Sequence, residues 1–263
     1  VGEYQNGSDD CFEYSADDID ELLDRIDRND AKRAAALKDA FARIEKRKDI
    51  RAIVLAANGP VFSAGHDLKE MTAHRTDPDR GRVYFEDILT RCATVMKTII
   101  ALPQPVIAAV EGVATAAGCQ LVASCDLAVA GQTAGFCTPG VHIGLFCSTP
   151  MVALSRNVGR KQAMEMLLTG DFIDAPTAVA RGLINHCVED DALSDAVLAL
   201  CEKITAKPEP AVRMGKALFY QQLEMGVSSA YQLAGQTMAC NMMDDTALEG
   251  VQAFIEKRPA RWG

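Results

Sequence analysis

What this chain has little of already narrows its function. Its four histidines are scattered, and its nine cysteines, at positions 11, 92, 119, 125, 137, 147, 187, 201 and 240, form no CxxC pair. That set offers no metal-ligand spacing, so no metal is expected. An odd number of thiols in apolar surroundings, as in Val122-Ala123-Ser124-Cys125, reads as reduced, buried cysteine and not as a disulfide framework. Basic residues are in deficit: 27 Lys and Arg stand against 36 Asp and Glu, a net charge of −9. The balance argues against nucleic acid as the main partner, because phosphate binding needs a net basic face. The longest apolar run, Pro105 to Gly131, is broken by Glu111, Gln120 and Asp126, so no membrane span is expected. Val1-Gly2-Glu3-Tyr4 lacks a basic segment followed by an apolar one, and cytoplasm is the expected compartment.

What is present is an ordinary globular composition. Of 263 residues, 49% are hydrophobic and 24% charged, enough to build one large core. Ser15 and Asp18 have capping-box spacing ahead of Ile19, Leu22, Leu23 and Ile26, which predicts an acidic amphipathic helix. Leu37, Phe41 and Ile44 mark a second helix. Three buried strands are expected at Ala52–Ala56, Val106–Val110 and Asp126–Ala130. They alternate with a long helix from Arg82 to Ala101 and a small-residue helix through Ala116–Ser124. Continuous apolar strands between helices predict α/β architecture with a covered, largely parallel sheet. Beyond Ser148 the pattern is helix after helix: Arg160–Thr169 ending at Gly170, then Ala192–Lys207, Pro210–Glu224, Ser229–Met243 and Ala247–Lys257.

Two small-residue turns each follow a buried strand. The first is Phe62-Ser63-Ala64-Gly65-His66-Asp67-Leu68-Lys69-Glu70-Met71, and the second is Glu111-Gly112-Val113-Ala114-Thr115-Ala116-Ala117-Gly118-Cys119-Gln120. Small residues let a ligand approach the backbone, and a strand-to-helix turn aims N–H groups at it. Two such turns together could hold a developing oxyanion. Tight helix–sheet packing would explain the same residues without a ligand.

At these turns the chain resembles the crotonase superfamily, the enoyl-CoA hydratase/isomerase family. Val61-Phe62-Ser63-Ala64-Gly65-His66-Asp67-Leu68-Lys69-Glu70-Met71 and Pro105-Val106-Ile107-Ala108-Ala109-Val110 carry the likeness. So do Ala163-Met164-Glu165-Met166-Leu167-Leu168-Thr169-Gly170 and Gly250-Val251-Gln252-Ala253-Phe254-Ile255-Glu256-Lys257-Arg258. The resemblance implies the crotonase spiral of ββα units with a helical C-terminal region, a homotrimer or hexamer, and acyl-CoA ligands in fatty acid metabolism. Coenzyme A would enter as part of the substrate, with no permanently bound cofactor. The backbone N–H groups of Ala64 and Ala117 would form an oxyanion hole. Ala64, Gly65, His66, Asp67 and Leu68 would line the CoA channel, and Phe254 and Lys257 would reach a neighbour's CoA. The implied divisions are an atypical helical segment over 1–35, the spiral core over 36–200 and a helical trimerisation region over 201–263.

The chain also departs from the family pattern. Hydratases of the family use two glutamates, and here those positions hold Gln120 and Gly140. Glutamine can position water but cannot exchange a proton near neutral pH, and glycine has no side chain. His142 is the substitute proton carrier to consider, although Val141-His142-Ile143 also reads as an apolar strand or turn with one satisfied histidine. Cys147 and Ser148 offer nucleophiles with no assignable base. Cys119 reads as packing and Glu111 as a solvent-facing turn residue. Residues 1–30 lack the usual Asn-Arg-Pro turn and Asn-Ala-Leu segment, so no CoA contact is assigned there. The protein is therefore expected either to be a lyase or isomerase on acyl-CoA or to bind acyl-CoA without turnover. The basic run Lys32, Arg33, Lys38, Arg43, Lys46, Arg47, Lys48 and Arg51 is interrupted by Asp39, Glu45 and Asp49. It reads as a solvated helix face and not as an RNA site.

Overall fold

The computed structural model describes residues 30–262. The acidic helix expected around Ser15–Ile26 lies outside the described residues. Helix α1 (Asp30–Ile44) carries the second amphipathic pattern and buries Phe41 and Ile44. A four-stranded parallel sheet follows in the order β1 (Ile53–Leu55), β2 (Val106–Val110), β4 (Leu127–Gly131) and β7 (His186–Val188). All five residues of β2 are buried, as a strand covered on both faces requires.

Alternation along β2 divides the core in two. Val106, Ala108 and Val110 face Phe41, Ile44, Val95 and Ile99, whereas Ile107 and Ala109 face Leu193, Val197 and Cys201. The first layer includes α3 (Arg82–Ala101), whose buried stripe is Ile88, Cys92, Val95, Met96 and Ile99. Leu102 and Pro103 end that helix where expected. The second layer is α8 (Leu193–Thr205).

A smaller sheet, β3 (Val113–Thr115), β5 (Gly135–Cys137) and β6 (Ile173–Asp174), stands beside the first. The sequence suggests only a turn at Glu111-Gly112 before the small-residue helix. The structure instead inserts β3, because Val113–Thr115 pair in parallel with Gly135–Cys137. Short α2 (Leu68–Ala73) and α4 (Ala117–Ser124) follow the two small-residue turns. Val141-His142-Ile143 falls in a 3-10 turn, Pro139–Ile143, and is not a strand. Three helices have no counterpart in the sequence reading: α2, and α5 (Ser148–Asn157) and α7 (Ala175–Arg181) on either side of α6 (Arg160–Thr169). The chain closes with α9 (Glu209–Leu223), α10 (Val227–Met242) and α11 (Asp245–Glu256).

A buried polar knot fastens α9 to the sheet. Lys216 Nζ donates to Asp126 Oδ2 at 2.6 Å and to the Ile99 and Gln104 carbonyls, while Tyr220 donates to Asp126 Oδ1 at 2.8 Å. Asp126 Oδ2 also accepts the Val106 N–H. Burial lowers the Lys216 pKa and the Asp126 charge opposes that shift. With every polar partner satisfied, the knot is a tether between helix and sheet.

Candidate active site

The two small-residue turns meet through their backbones. Ser63 N–H donates to the Val113 carbonyl at 3.1 Å and Thr115 N–H to the Ser63 carbonyl at 2.9 Å, so Phe62–Ala64 runs beside β3. Thr115 Oγ1 donates to the Ala64 carbonyl at 3.0 Å and fixes that peptide's orientation. Gly118 packs so closely that a Cβ there would overlap the Ser63 carbonyl. Gly65 has φ +89°, and a Cβ on it would stand 3.2 Å from both Ala116 Cβ and Ala117 N. Glycine at 65 and 118 is what lets one turn lie on the other.

Ala116 sits between β3 and α4 with φ 50° and ψ −114°, a costly conformation for a residue with a Cβ. Its N–H donates to the Cys137 carbonyl and its carbonyl accepts the Gln120 N–H, both at 3.0 Å. The next N–H, that of Ala117, begins α4. Among the described residues neither the Ala64 nor the Ala117 N–H has an acceptor. An amide donor left open at a helix N-terminus is chemically suited to meet negative charge.

The other expected site residues are distributed unequally. Asp67 caps α2, accepting from Lys69 N at 2.8 Å and Glu70 N at 3.2 Å. His66 beside it is half-buried, and Leu68 is exposed. Gln120 lies one turn into α4 and is buried, with Cys92 Sγ of α3 4.0 Å from its Oε1. His142 is not brought to the turns in a free state. Its Nε2 donates to the Thr169 carbonyl at 2.7 Å, closing the C-terminus of α6 beside Gly170. Phe254 is 84% exposed, and Lys257, with φ 54°, ends α11 in solvent. Gly140 is packed: a Cβ there would be 2.9 Å from both Cys147 Sγ and the Leu145 carbonyl.

The sequence reading missed what surrounds Gly140. Cys119, Cys137 and Cys147 lie close enough to act on one another electrostatically. Burial pushes Cys119 up to about 12 and Cys137 up to about 11. Burial also raises Cys147, partly offset by the Gly140 N–H that points at its sulfur. The apolar stretch around Cys147 gave no sign of this, since residue 119 is far away in sequence. A cavity of about 710 Å³ lies elsewhere, among Asp245, Thr246, Glu249, Arg258 and Arg261. Its central charges are already paired, Arg258 with Glu249 at 2.7 and 2.9 Å.

Comparison with known proteins places the chain in a family. A sequence model of the enoyl-CoA hydratase/isomerase family matches residues 29–263. Enoyl-CoA hydratase domain-containing protein 3, mitochondrial, from Rattus norvegicus is 47% identical over 215 residues, which cover 82% of this chain and 70% of the relative. An enoyl-CoA hydratase crystal structure from Mycobacterium smegmatis superposes with a TM-score of 0.84 at 55% identity, covering 90% of this chain and 93% of that one. The crystal structure of human enoyl coenzyme A hydratase domain-containing protein 3 gives a TM-score of 0.80 at 44% identity, over 87% and 90% of the two chains. The fold is thus the α/β architecture of those structures, with its helical C-terminal region.

Proposed function

The chain belongs to the enoyl-CoA hydratase/isomerase family, and from that premise we propose that it binds acyl-CoA thioesters and holds the thioester oxyanion or enolate on the N–H groups of Ala64 and Ala117. The observation that carries this reading is that the Ala64 and Ala117 N–H groups have no acceptor among the described residues, while Gly65, next to Ala64, packs against Ala116 and Ala117. A carbonyl oxygen there gains most as it becomes negative, which favours enolate and tetrahedral states over the bound ground state. Coenzyme A is part of the substrate, and no permanently bound cofactor is called for. Gly65, His66, Asp67 and Leu68 line its channel.

Hydration by two carboxylates is not the reading. Each general acid or base contributes about 10²- to 10⁴-fold, and Gln120 and Gly140 supply neither. Isomerisation, thioester hydrolysis and decarboxylation make smaller demands. A second reading, an acyl-CoA binder without turnover, is favoured by the buried Gln120 amide beside Cys92 where a proton-exchanging group would be needed.

The protein acts as a homotrimer or hexamer in this proposal. Support comes from α9 and α10, which bury no residue fully, while Phe219, Tyr231, Met238, Met243 and Phe254 stand exposed. Phe254 and Lys257 of one copy would then meet the CoA of another. No helix among the described residues is long and apolar enough to cross a membrane. The rat relative's name carries the word mitochondrial, so a mitochondrial setting competes with the cytoplasmic one expected from the first residues of the sequence.

Calorimetric titration with an acyl- and enoyl-CoA panel, followed by mass spectrometry of the same panel with protein in D₂O, tests the reading. Saturable binding that weakens when Gly65 is replaced is expected. No binding to any thioester would overturn it, and binding without product or exchange would decide for the non-catalytic form.

A further inference from the structure

We propose that the cavity at the start of α3 receives the far end of the acyl chain, and that Arg75 and Arg80 bind a carboxylate there. The substrate class is then the coenzyme A thioester of a medium-chain dicarboxylic acid. The inference rests on the acyl-CoA reading above and names the acyl group.

The cavity has a volume of about 500 Å³ and is lined by three arginines, two carboxylates and the side chains of Phe85 and Leu89. Both of its acids are occupied. Asp79 accepts the Val83 N–H at 2.7 Å and the Gly81 N–H at 3.1 Å, which holds its carboxyl below the usual range. Glu86 pairs with Arg82 at 2.9 Å. The neighbouring Asp77 meets Nδ1 of His74 at 2.8 Å. Arg75 and Arg80 are left with no carboxylate in hydrogen-bond reach among the described residues. In a chain of net charge −9, two unpaired guanidinium groups on one cavity make a local site for an anion.

Both arginines stand on fixed backbone. Arg80 has φ 61°, in the left-handed region, where glycine or asparagine would be less strained. Gly81 follows at φ 85°, and a Cβ on it would lie 2.8 Å from both the Phe85 ring and the His74 carbonyl. That loop is thus wound tightly onto Phe85. Arg75 lies in the 3-10 turn His74–Thr76, which His74 anchors to α3 by stacking on Tyr84 at 3.6 Å.

The apolar wall leads from this cavity toward the two turns. Phe85, Leu89 and Cys92 recur at i, i+4 and i+7, so they lie along one face of α3. At the inner end of that stripe Cys92 meets Gln120, one turn into the helix that Ala117 begins. From Cys92 to Phe85 is about 10 Å of helix rise, a length that an extended acyl chain of about eight carbons covers. A thioester carbonyl on the Ala64 and Ala117 N–H groups would run its chain past Gln120 and Leu89 to end at the arginines. The phosphates of coenzyme A are the other anions of this ligand, but a phenyl and leucyl wall fits a methylene chain.

Titration calorimetry with octanedioyl-CoA, octanoyl-CoA, butanedioyl-CoA and free coenzyme A tests the assignment in the wild type, Arg75→Ala and Arg80→Ala. Each substitution should weaken octanedioyl-CoA about fivefold or more and leave the other three ligands within about twofold. Butanedioyl-CoA carries the same charge but is too short to reach the arginines. Equal losses for all four ligands would assign the arginines to the phosphates and overturn the proposal. Unchanged octanedioyl-CoA affinity in both variants would overturn it too, as would a wild type that binds octanoyl-CoA and rejects octanedioyl-CoA. A wild-type protein that binds none of the thioesters would instead overturn the acyl-CoA reading itself.

Discussion

The backbone half of the site and the side-chain half are held in different ways. The two turns that carry the Ala64 and Ala117 N–H groups are held mostly by main-chain contacts, the Ser63–Val113 and Thr115–Ser63 hydrogen bonds and the contact of Gly118 with Ser63, with one side chain, the Thr115 hydroxyl, on the Ala64 carbonyl. No side-chain functional group at Ala64 or Ala117 takes part, so alanine serves as well as glycine wherever φ allows it. Proton transfer would depend on what individual side chains carry, and there Gln120 and Gly140 supply no group that exchanges a proton near neutral pH. A backbone site persists as long as two turns pack. A side-chain site can change one residue at a time without moving the fold.

The sharpest way to break that contrast is to disturb the backbone half. Gly118→Ala would gain about 1 kcal/mol of helix propensity, but its Cβ would overlap the Ser63 carbonyl. Overpacking against main chain should win, with a net loss of about 3 kcal/mol visible as a lowered midpoint in denaturant. An unchanged midpoint would mean that the turns are not clamped together as described. Gly65→Ala should cost about 2 kcal/mol from its positive φ and weaken acyl-CoA binding as well, since the added methyl would stand beside Ala117 N. Titration calorimetry reads the second effect, and full affinity would count against the donor pair.

Changes in the side-chain half should be milder. Gln120→Glu places a carboxyl in a buried site beside Cys92 and should cost about 1–2 kcal/mol. It should not produce crotonyl-CoA hydration, because position 140 still supplies no partner; rapid hydration by this variant would show that one carboxylate suffices. The smallest effect is expected of His142→Ala, which loses one hydrogen bond to the Thr169 carbonyl and should cost under about 1 kcal/mol. Acyl-CoA affinity and α-exchange should stay at wild-type levels, and a large loss of exchange would return His142 to the chemistry.

Much of this could be read from the residues in order. The three central strands, the 82–101 helix with its stop at Leu102 and the Gly170 end of α6 follow from period, propensity and capping within a short window. Short elements were less visible. β3 and β5 have three residues each and exist because they pair with each other, and α5 begins in a Cys-Ser-Thr-Pro stretch with little periodic signal.

The same boundary runs through the site. Sequence alone determined that two small-residue turns follow buried strands, that neither Gln120 nor Gly140 can move a proton, and that basic residues are in deficit for nucleic acid. Only the tertiary structure decided that Gly65 touches Ala117, that His142 is occupied by the end of α6, and that the Cys147 sulfur stands in front of Gly140. Local sequence encodes hydrogen bonds and burial within a few residues. Which side chains meet across 27 or 52 positions is set by how helices and strands pack into one core, and no short window contains that.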